Sequence, residues 1–158
     1  MIFVTVGGSD IDFSRLIQKM DDIAKNISEE IIMQIGHTHY KPKHAQFFCF
    51  KNKDEIEEFY KKSRIIVSHA GIGSILTAVK LQKPIIVVPR RKEYGELFDN
   101  HQVEITDKLK KQGLNVFDHL SKLNEEKIQE EYHLTKFQSK SNLINGIKKY
   151  LKKIEQNK

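Results

Sequence analysis

The stretch from Pro84 to Pro89 constrains the fold most strongly, because Ile85 to Val88 between the two prolines are all apolar and β-branched. A strand that is apolar on both faces is typical of a parallel sheet with helices packed on its two sides. Other largely apolar runs, at residues 2–6, 31–35 and 65–67, alternate with segments that carry apolar residues at helical spacing. The sequence therefore predicts an α/β fold in which helices cover both faces of a parallel sheet.

The net charge of +6 is unevenly distributed along the 158 residues. Residues 136–158 carry seven lysines and one acidic residue, whereas residues 1–135 carry equal numbers of basic and acidic residues. The excess positive charge therefore belongs to the tail, which argues against nucleic-acid binding across the whole surface. We predict one domain over residues 1–135, with residues 136–158 as part of the same unit.

The tail itself predicts a basic amphipathic helix over about Ser141 to Gln156. Its apolar positions fall on one face and its lysines on the other; the apolar face comprises Leu143, Ile144, Ile147, Leu151 and Ile154. Such a helix packs on its own domain or docks to a partner or to an anionic membrane surface.

Neither a membrane span nor a secretion signal is expected from the sequence. The longest apolar run is far shorter than the roughly 20 residues that cross a bilayer, and the start, Met1 to Val6, is too short for a signal-peptide core. A cytoplasmic protein is therefore expected. Cys49, the single cysteine, excludes an intrachain disulfide and is expected to be a small buried residue.

Three histidines, His37, His39 and His44, lie in a polar loop that resembles a metal-binding cluster. No carboxylate accompanies them in the loop, and Pro42 within it is typical of an ordinary connection. We predict no metal site and no cofactor.

The stretch from Ser68 to Ser74 is a candidate anion site. It joins the apolar run at 65–67 to a helical pattern through Gly71 and Gly73, so free backbone N–H groups face a ligand at the positive end of the helix. Ser74 caps this helix or donates to a phosphate oxygen. The alternative is a tight turn with a capped helix and no ligand.

Two further segments follow predicted strands in the same way. Gly7, Gly8 and Ser9 follow the first strand, and Ser9 or Asp10 is expected to cap the next helix, as Asp54 is expected to cap a later one. After Pro89 comes a polar segment with basic, acidic, amide and imidazole groups, which comprises Arg90, Arg91, Glu93, Asn100, His101 and Gln102. Helix N-termini and basic groups hold diphosphate, and amides and carboxylates bind sugar hydroxyls, so these segments suit a nucleotide-linked sugar. Taken alone, Arg90 to Lys92 reads as a solvated charged loop, and Asp99-Asn100 reads as a helix cap.

These motifs, in this order, resemble the C-terminal, donor-binding half of GT-B glycosyltransferases. The likeness is to the Alg13-like group and to the C-terminal domain of MurG-type N-acetylglucosaminyl transferases, and residues 89–96 resemble prokaryotic exopolysaccharide members. The matching pieces cover most of residues 1–113 and lie at residues 4–9, 34–36, 68–74, 83–88 and 99–104. The resemblance implies a Rossmann-like domain.

The resemblance also implies roles for single residues. His69 would be the catalytic residue at the donor diphosphate. The diphosphate would be held by Gly71, Gly73, Ser74, Gly7, Gly8 and Ser9, and the donor sugar by Asn100, His101, Gln102 and Glu93. Thr77 stands where many relatives carry a glutamate that holds the ribose, so the uridine contacts depart from the family pattern.

The function implied is that of a donor-binding catalytic subunit of a two-component, metal-independent inverting glycosyltransferase, inactive alone. It would transfer GlcNAc or another hexose from a UDP-sugar to a polyprenyl-phosphate-linked acceptor. A membrane-anchored Alg14-like subunit would supply the other domain and recruit the chain to the cytoplasmic membrane face. The alternative is a non-catalytic accessory subunit that enhances a partner transferase.

Overall fold

The computed structural model describes residues 1–111, 113–130 and 144–148. The strands are β1 (Ile2–Thr5), β2 (Ile31–Gln34), β3 (Gln46–Phe48), β4 (Ile65–His69), β5 (Ile85–Val88) and β6 (Asn115–Val116). The α-helices are α1 (Ser14–Ala24), α2 (Lys53–Lys62), α3 (Ile72–Lys80), α4 (His101–Lys110) and α5 (Glu125–Gln129). Short 3₁₀ turns occupy Lys92–Tyr94 and Leu120–Lys122.

The strands form one six-stranded parallel sheet in the order β3-β2-β1-β4-β5-β6. In the register of this sheet, Ile2 of β1 lies between Ile31 of β2 and Ile65 of β4. The chain order reverses on the two sides of β1, so the connections after β1 and β4 leave in different directions and open a crevice between them. In open α/β sheets, ligands bind in this crevice at the carboxyl ends of the strands.

Helices cover both faces of the sheet, as predicted. In β1, Ile2 and Val4 contribute to one core and Phe3 to the other, since successive side chains of a strand point to opposite faces. The first core includes Phe13, which precedes α1, and Leu16, Ile17, Met20 and Ile23 of α1. The second includes Tyr60 of α2, Ile75, Ala78 and Val79 of α3, and Ile105 and Leu109 of α4.

Residues 144–148 are helical, and Ile147 is buried in the second core. The rest of the basic helix predicted for Ser141 to Gln156 lies outside the described residues. The assignment of residues 136–158 to the same unit therefore stays a prediction. Within the part of the chain that the structure describes, no helix has the length and hydropathy to cross a membrane.

Two predicted helix caps are wrong. Helix α1 begins later than expected, at Ser14, and Asp12 rather than Ser9 or Asp10 accepts the hydrogen bond from its N–H, at 3.0 Å. Helix α2 is capped by Asn52 instead of Asp54, in a reciprocal pair with Glu55. In both places several capping residues lie close together in sequence, and tertiary packing selects the helix start.

The prediction that Cys49 is buried is also wrong, because its side chain is exposed. It follows the last residue of β3, which lies at the edge of the sheet. Its neighbours Phe47 and Phe50 are 42% and 49% exposed. The apolar run at this edge of the sheet is therefore accessible to solvent, whereas the apolar runs of the central strands are buried.

The buried carboxylate of Asp21 on α1 holds the histidine-containing loop. It accepts hydrogen bonds from the Tyr40 hydroxyl at 2.8 Å and from the backbone N–H groups of Lys43 at 2.8 Å and His44 at 2.7 Å. Burial raises the pKa of Asp21, but these hydrogen bonds lower it more, so its pKa lies below the usual value. It is therefore the ionised carboxylate of Asp21 that stabilises the loop.

Replacing Asp21 by Asn should lower the free energy of unfolding by about 1–3 kcal/mol, since an amide NH₂ cannot accept and leaves a donor unpaired. Urea unfolding measures the loss. The matched control is the neighbouring Asp22→Asn, because Asp22 is exposed. Equal stability of the two variants would contradict the role of Asp21.

Candidate functional site

Two glycine turns meet at the carboxyl edge of the sheet and line one cleft of ≈ 300 Å³. Gly7 and Gly8 come from the turn after β1, and Gly73 and Ser74 come from the first turn of α3. The remaining lining residues are Thr5, Gln34, Lys53, Ile56, Glu57, Tyr60 and Thr77. The structure therefore brings together residues of the two separate turns that the sequence singled out.

The turn after β4 has the form expected of an anion site. β4 runs through His69, and Gly71 is the N-terminal cap of α3 without a side-chain cap. Ser74 is therefore the third residue of α3 and does not cap it. The positive end of the helix, with backbone N–H groups that lack an intrahelical partner, faces the cleft at Gly73 and Ser74.

Tyr60 of α2 contributes the wall of the cleft beside Ser74. Burial raises the pKa of Tyr60 to about 12, although a hydrogen bond with the Ser74 hydroxyl acts in the opposite direction. The hydroxyl of Thr77, one turn further along α3, donates to the Gly73 carbonyl at 2.8 Å. The hydroxyl groups of Tyr60, Ser74 and Thr77 therefore lie along the side of the cleft where α2 and α3 meet.

The imidazole ring of His69 occupies the space between the two glycine turns. A Cβ atom on Gly71 would lie 2.2 Å from Nε2 of the ring, and one on Gly7 would lie 2.6 Å from Cε1. Gly7 also has a positive φ of 76°, which side chains other than glycine rarely adopt. Glycine is therefore required at both positions while His69 stays in place.

His69 is uncharged at neutral pH. Burial and the nearby positive charge of Arg90 lower its pKa to about 4, although a hydrogen bond to the Thr5 carbonyl opposes both effects. A neutral imidazole has one N–H, and the Thr5 carbonyl engages the ring as acceptor. The Ser68 hydroxyl lies 3.5 Å from Nδ1 of the ring. The catalytic role of His69 stays a prediction.

The loop after β1 is held by polar side chains of the neighbouring strands. The Thr5 hydroxyl accepts a hydrogen bond from the Gly7 N–H at 3.2 Å and donates to Gln34, whose amide group in turn donates to the Gly7 carbonyl at 3.3 Å. Ser9 accepts from the Ile11 N–H at 3.2 Å and is not among the residues that line the cleft. Its predicted part in binding diphosphate, like that of Gly7 and Gly8, stays a prediction.

The charged segment after β5 divides into a buried and an exposed part. Arg90 is only 1% exposed, so its reading as part of a solvated loop is wrong. Arg91 is partly buried and Lys92 is exposed, as expected of a charged loop. The difference arises because Arg90 lies two residues after the end of β5 and its side chain reaches the loop after β1, where it donates to the carbonyls of Val6 and Ile11.

The predicted sugar-binding residues do not line the cleft. Glu93, Asn100 and His101 are exposed; Glu93 pairs with Arg91 at 3.3 Å, and Asn100 accepts from the Lys92 N–H at 3.1 Å. His101 bonds to Asp99. Gln102 is buried, and its carbonyl oxygen accepts from the Arg90 N–H at 3.0 Å. Their contact with a sugar stays a prediction.

Lys53 and Glu57 are cleft residues that the sequence reasoning missed. They lie four residues apart on α2 and therefore on one face of that helix. Glu57 also pairs with Lys61 at 3.2 Å. The amphipathic pattern of α2 is visible in the sequence, but its placement against the glycine turns depends on tertiary packing.

Within the described ranges, no three His, Cys, Asp or Glu side chains are grouped in a way that would hold a metal ion. Of the loop histidines, His39 pairs instead with Asp12, at 3.1 Å.

Comparison with known proteins identifies the family. Residues 1–158 match the model of the glycosyltransferase family 28 C-terminal domain. The chain belongs to this family. Among curated relatives, it is 32% identical over 124 residues to the UDP-N-acetylglucosamine transferase subunit ALG13 of Homo sapiens. The aligned region covers 71% of this chain and 10% of that relative. It is 27% identical over 125 residues to the subunit ALG13 of Yarrowia lipolytica, with 69% of this chain and 60% of the relative covered.

The family 28 chain therefore spans only part of the curated relatives it matches, about a tenth of the human one. Solved structures agree on the fold. The glycotransferase of kitacinnamycin has a TM-score of 0.59 at 13% identity over 93% of this chain and 37% of that one. MurG of Acinetobacter baumannii has a TM-score of 0.52 at 14% identity over 90% of this chain and 43% of that one. The predicted Rossmann-like domain of a GT-B glycosyltransferase is confirmed as the fold.

Replacing Gly71 by Ala should destabilise the chain by about 1–3 kcal/mol, because the new Cβ forces the packed His69 ring to move. The matched control is Gly73→Ala, since a Cβ there meets nothing within 4 Å. Urea unfolding of the two variants measures the difference. A Gly71→Ala variant as stable as Gly73→Ala would contradict the packing of His69 between the turns.

His69 should also make the protein less stable in mild acid. The folded-state pKa of about 4 lies below the ordinary value of 6.5, so the unfolded chain binds the proton first as the pH falls. The contribution of His69 should be fully present above pH 6.5 and decline by about 3 kcal/mol as the pH falls to 4.

Urea unfolding between these pH values, compared for the wild type and His69→Asn, isolates this contribution, because the variant does not titrate there. The exposed His119→Asn serves as the control. Carboxylates such as Asp12 also lose stabilising hydrogen bonds in acid, but equally in all three proteins. An unchanged pH slope in His69→Asn would show that the ring is not buried in its neutral form.

Proposed function

We propose that this chain binds a UDP-sugar in the cleft between its two glycine turns and is the donor-binding subunit of a two-component inverting glycosyltransferase. The proposal rests mainly on one observation: Gly7, Gly8, Gly73 and Ser74 line the same cleft at the carboxyl edge of the sheet. Membership of glycosyltransferase family 28 supports it. The name of the ALG13 relatives, UDP-N-acetylglucosamine transferase subunit, favours GlcNAc among the hexoses.

The diphosphate would lie against the first turn of α3. Its oxygens would accept hydrogen bonds from the free backbone N–H groups near Gly73 and Ser74, and the positive end of the helix would stabilise their charge. Transfer of the sugar leaves negative charge on the departing diphosphate. Backbone donors that already point at this charge stabilise the transition state with little reorganisation and without a metal ion.

The wall formed by α2 would meet the nucleoside. Glu57 is a carboxylate on this wall, and carboxylates accept hydrogen bonds from vicinal hydroxyls such as those of ribose. Lys53 on the same wall adds a positive charge for the phosphates. Because Thr77 is a hydroxyl residue bonded to the Gly73 carbonyl, Glu57 would supply the carboxylate that position 77 lacks.

The remaining parts of the enzyme would come from a partner. We infer that a membrane-anchored Alg14-like subunit carries the acceptor site, and that the acceptor is a polyprenyl-phosphate-linked sugar. His101 and Gln102, the first two residues of α4, would contact the donor sugar. Recruitment to the cytoplasmic membrane face would depend on the partner.

A non-catalytic accessory subunit is the second candidate. The observation that favours it is the state of His69, which is buried, uncharged and hydrogen-bonded to the Thr5 carbonyl. A residue in this state does not supply a positive charge to a departing diphosphate. In that case the chain would shape or stabilise a partner transferase that carries out the chemistry.

Isothermal titration of the wild-type chain with UDP and with UDP-GlcNAc tests donor binding. We expect both to bind, and Glu57→Gln to weaken UDP binding by about threefold to tenfold, because one hydrogen bond to a charged group is lost. Glu58→Gln is a matched control, since Glu58 is the adjacent residue of α2 and also pairs with Lys61, at 3.0 Å.

Equal effects of the two substitutions would remove Glu57 from the nucleoside site. A lack of UDP and UDP-sugar binding, with or without a co-expressed partner subunit, would overturn the donor-binding proposal and favour the accessory role. Transfer from radiolabelled UDP-GlcNAc to membrane lipid by the co-expressed pair would establish the reaction.

A further inference from the structure

Arg90 is the largest fully buried side chain of the described residues, and it carries a charge. It lies just after β5, with its guanidinium group 4.9 Å from the centre of the Phe13 ring. Burying a charge costs several kcal/mol unless hydrogen bonds or an opposite charge compensate it. A fold that keeps a buried arginine at this place needs a reason for it.

The hydrogen bonds of the guanidinium group run to both ends of the loop after β1. Nη2 donates to the carbonyl of Val6 at 3.3 Å and to the carbonyl of Ile11 at 3.1 Å. The four residues Gly7 to Asp10 lie between these two carbonyls. A single planar cation thus joins the start and the end of the glycine loop.

The charge of Arg90 has no close carboxylate partner among the ion pairs of the described residues. Two carboxylates, those of Glu96 and Asp12, raise the pKa of Arg90. The Glu96 carboxylate, however, accepts hydrogen bonds from Arg15 at 2.7 and 2.8 Å. Asp12, the other, accepts from Ser14 and His39. Nε of Arg90 is buried and has no hydrogen-bond partner. The positive charge beneath the loop is therefore only partly compensated.

Burial lowers the pKa of Arg90, and Glu96 and Asp12 oppose this, but a guanidinium group stays protonated in proteins at neutral pH. Its field reaches the candidate site, since the charge of Arg90 helps to lower the pKa of His69. The backbone of Arg90 is held separately, by the hydrogen bond from its N–H to Gln102 of α4. Replacement of the side chain should therefore leave the backbone of this segment anchored.

We propose that Arg90 is a positioning residue of the anion site: it clamps both ends of the Gly7–Asp10 loop and leaves a positive charge directly behind that loop. Gly7 and Gly8 would thereby be kept at the cleft wall. The charge acts through the poorly polarisable interior, where Coulomb interactions are stronger than in water. Arg90 would thus favour binding of a negatively charged ligand over a neutral one without contacting either ligand.

The part of this proposal that concerns the ligand rests on the proposed function, whereas the clamp does not. Two substitutions separate the effect of the charge of Arg90 from the effect of its hydrogen bonds. Arg90→Met removes both the charge and the hydrogen bonds, and Arg90→Lys keeps the charge but loses the planar group that joins the two carbonyls. Arg91→Met is the matched control, because Arg91 is the adjacent residue and bonds to Asp118 and Glu93 rather than to the glycine loop.

The first measurement is backbone amide hydrogen exchange by NMR in the ligand-free chain. In Arg90→Met and Arg90→Lys, the hydrogen-bonded amides at the two ends of the loop, those of Gly7 and Ile11, should exchange at least about tenfold faster than in the wild type, relative to amides of the central strands. Arg91→Met should exchange as the wild type does. Unchanged exchange at Gly7 and Ile11 in a folded Arg90→Met or Arg90→Lys variant would overturn the clamp.

The second measurement is NMR titration with UDP and with uridine. Arg90→Met should weaken UDP binding by about tenfold or more and uridine binding by less than about twofold, since only UDP carries the diphosphate charge. Arg90→Lys should retain more UDP affinity than Arg90→Met. Equal losses for UDP and uridine would overturn the electrostatic role. If the wild type binds neither ligand, the proposed function fails. The exchange measurement alone then decides whether Arg90 clamps the loop.

Discussion

The packing of one imidazole ring between two glycine turns is the constraint on which the candidate site depends. His69 ends β4, and its ring fills the space in which a Cβ of Gly7 or Gly71 would stand. The turns after β1 and β4 are thereby held close together, at the point where the strand order reverses. Residues of both turns line one cleft, and the almost completely buried His69 ring is the group that packs between the turns.

Polar groups support this arrangement from below, where the rest of the sheet is apolar. Thr5 and Gln34 hold the Gly7 backbone, and Arg90 reaches the carbonyls at both ends of the same loop. Buried polar groups are costly when they lack partners, so their concentration at one edge of the sheet indicates a purpose other than stability. Here they give a glycine loop, which has little intrinsic rigidity, a defined position beside the helix N-terminus.

Much of the fold was predictable because its signals are local. The β-branched residues between Pro84 and Pro89 predicted a doubly covered parallel strand, and Ile85–Val88 forms one. The errors occurred where burial depends on distant residues. Arg90 comes shortly after that strand in a run of three basic residues, a pattern typical of a solvent-exposed loop. It is nevertheless enclosed by the β1–α1 loop and Phe13. Cys49 lies in an aromatic run, yet it is exposed because its strand is at the sheet edge.

The sequence by itself determined the parallel α/β class, the two glycine turns and the family resemblance, because strand and turn preferences are encoded in short stretches of chain. Only the tertiary structure decided which of the candidate residues share a cleft. It joined the two turns, added Lys53 and Glu57 from α2, and left Glu93, Asn100 and His101 outside the lining. The physical reason is that strand order and helix packing bring together residues far apart in sequence, and those contacts leave no local pattern from which they could be inferred.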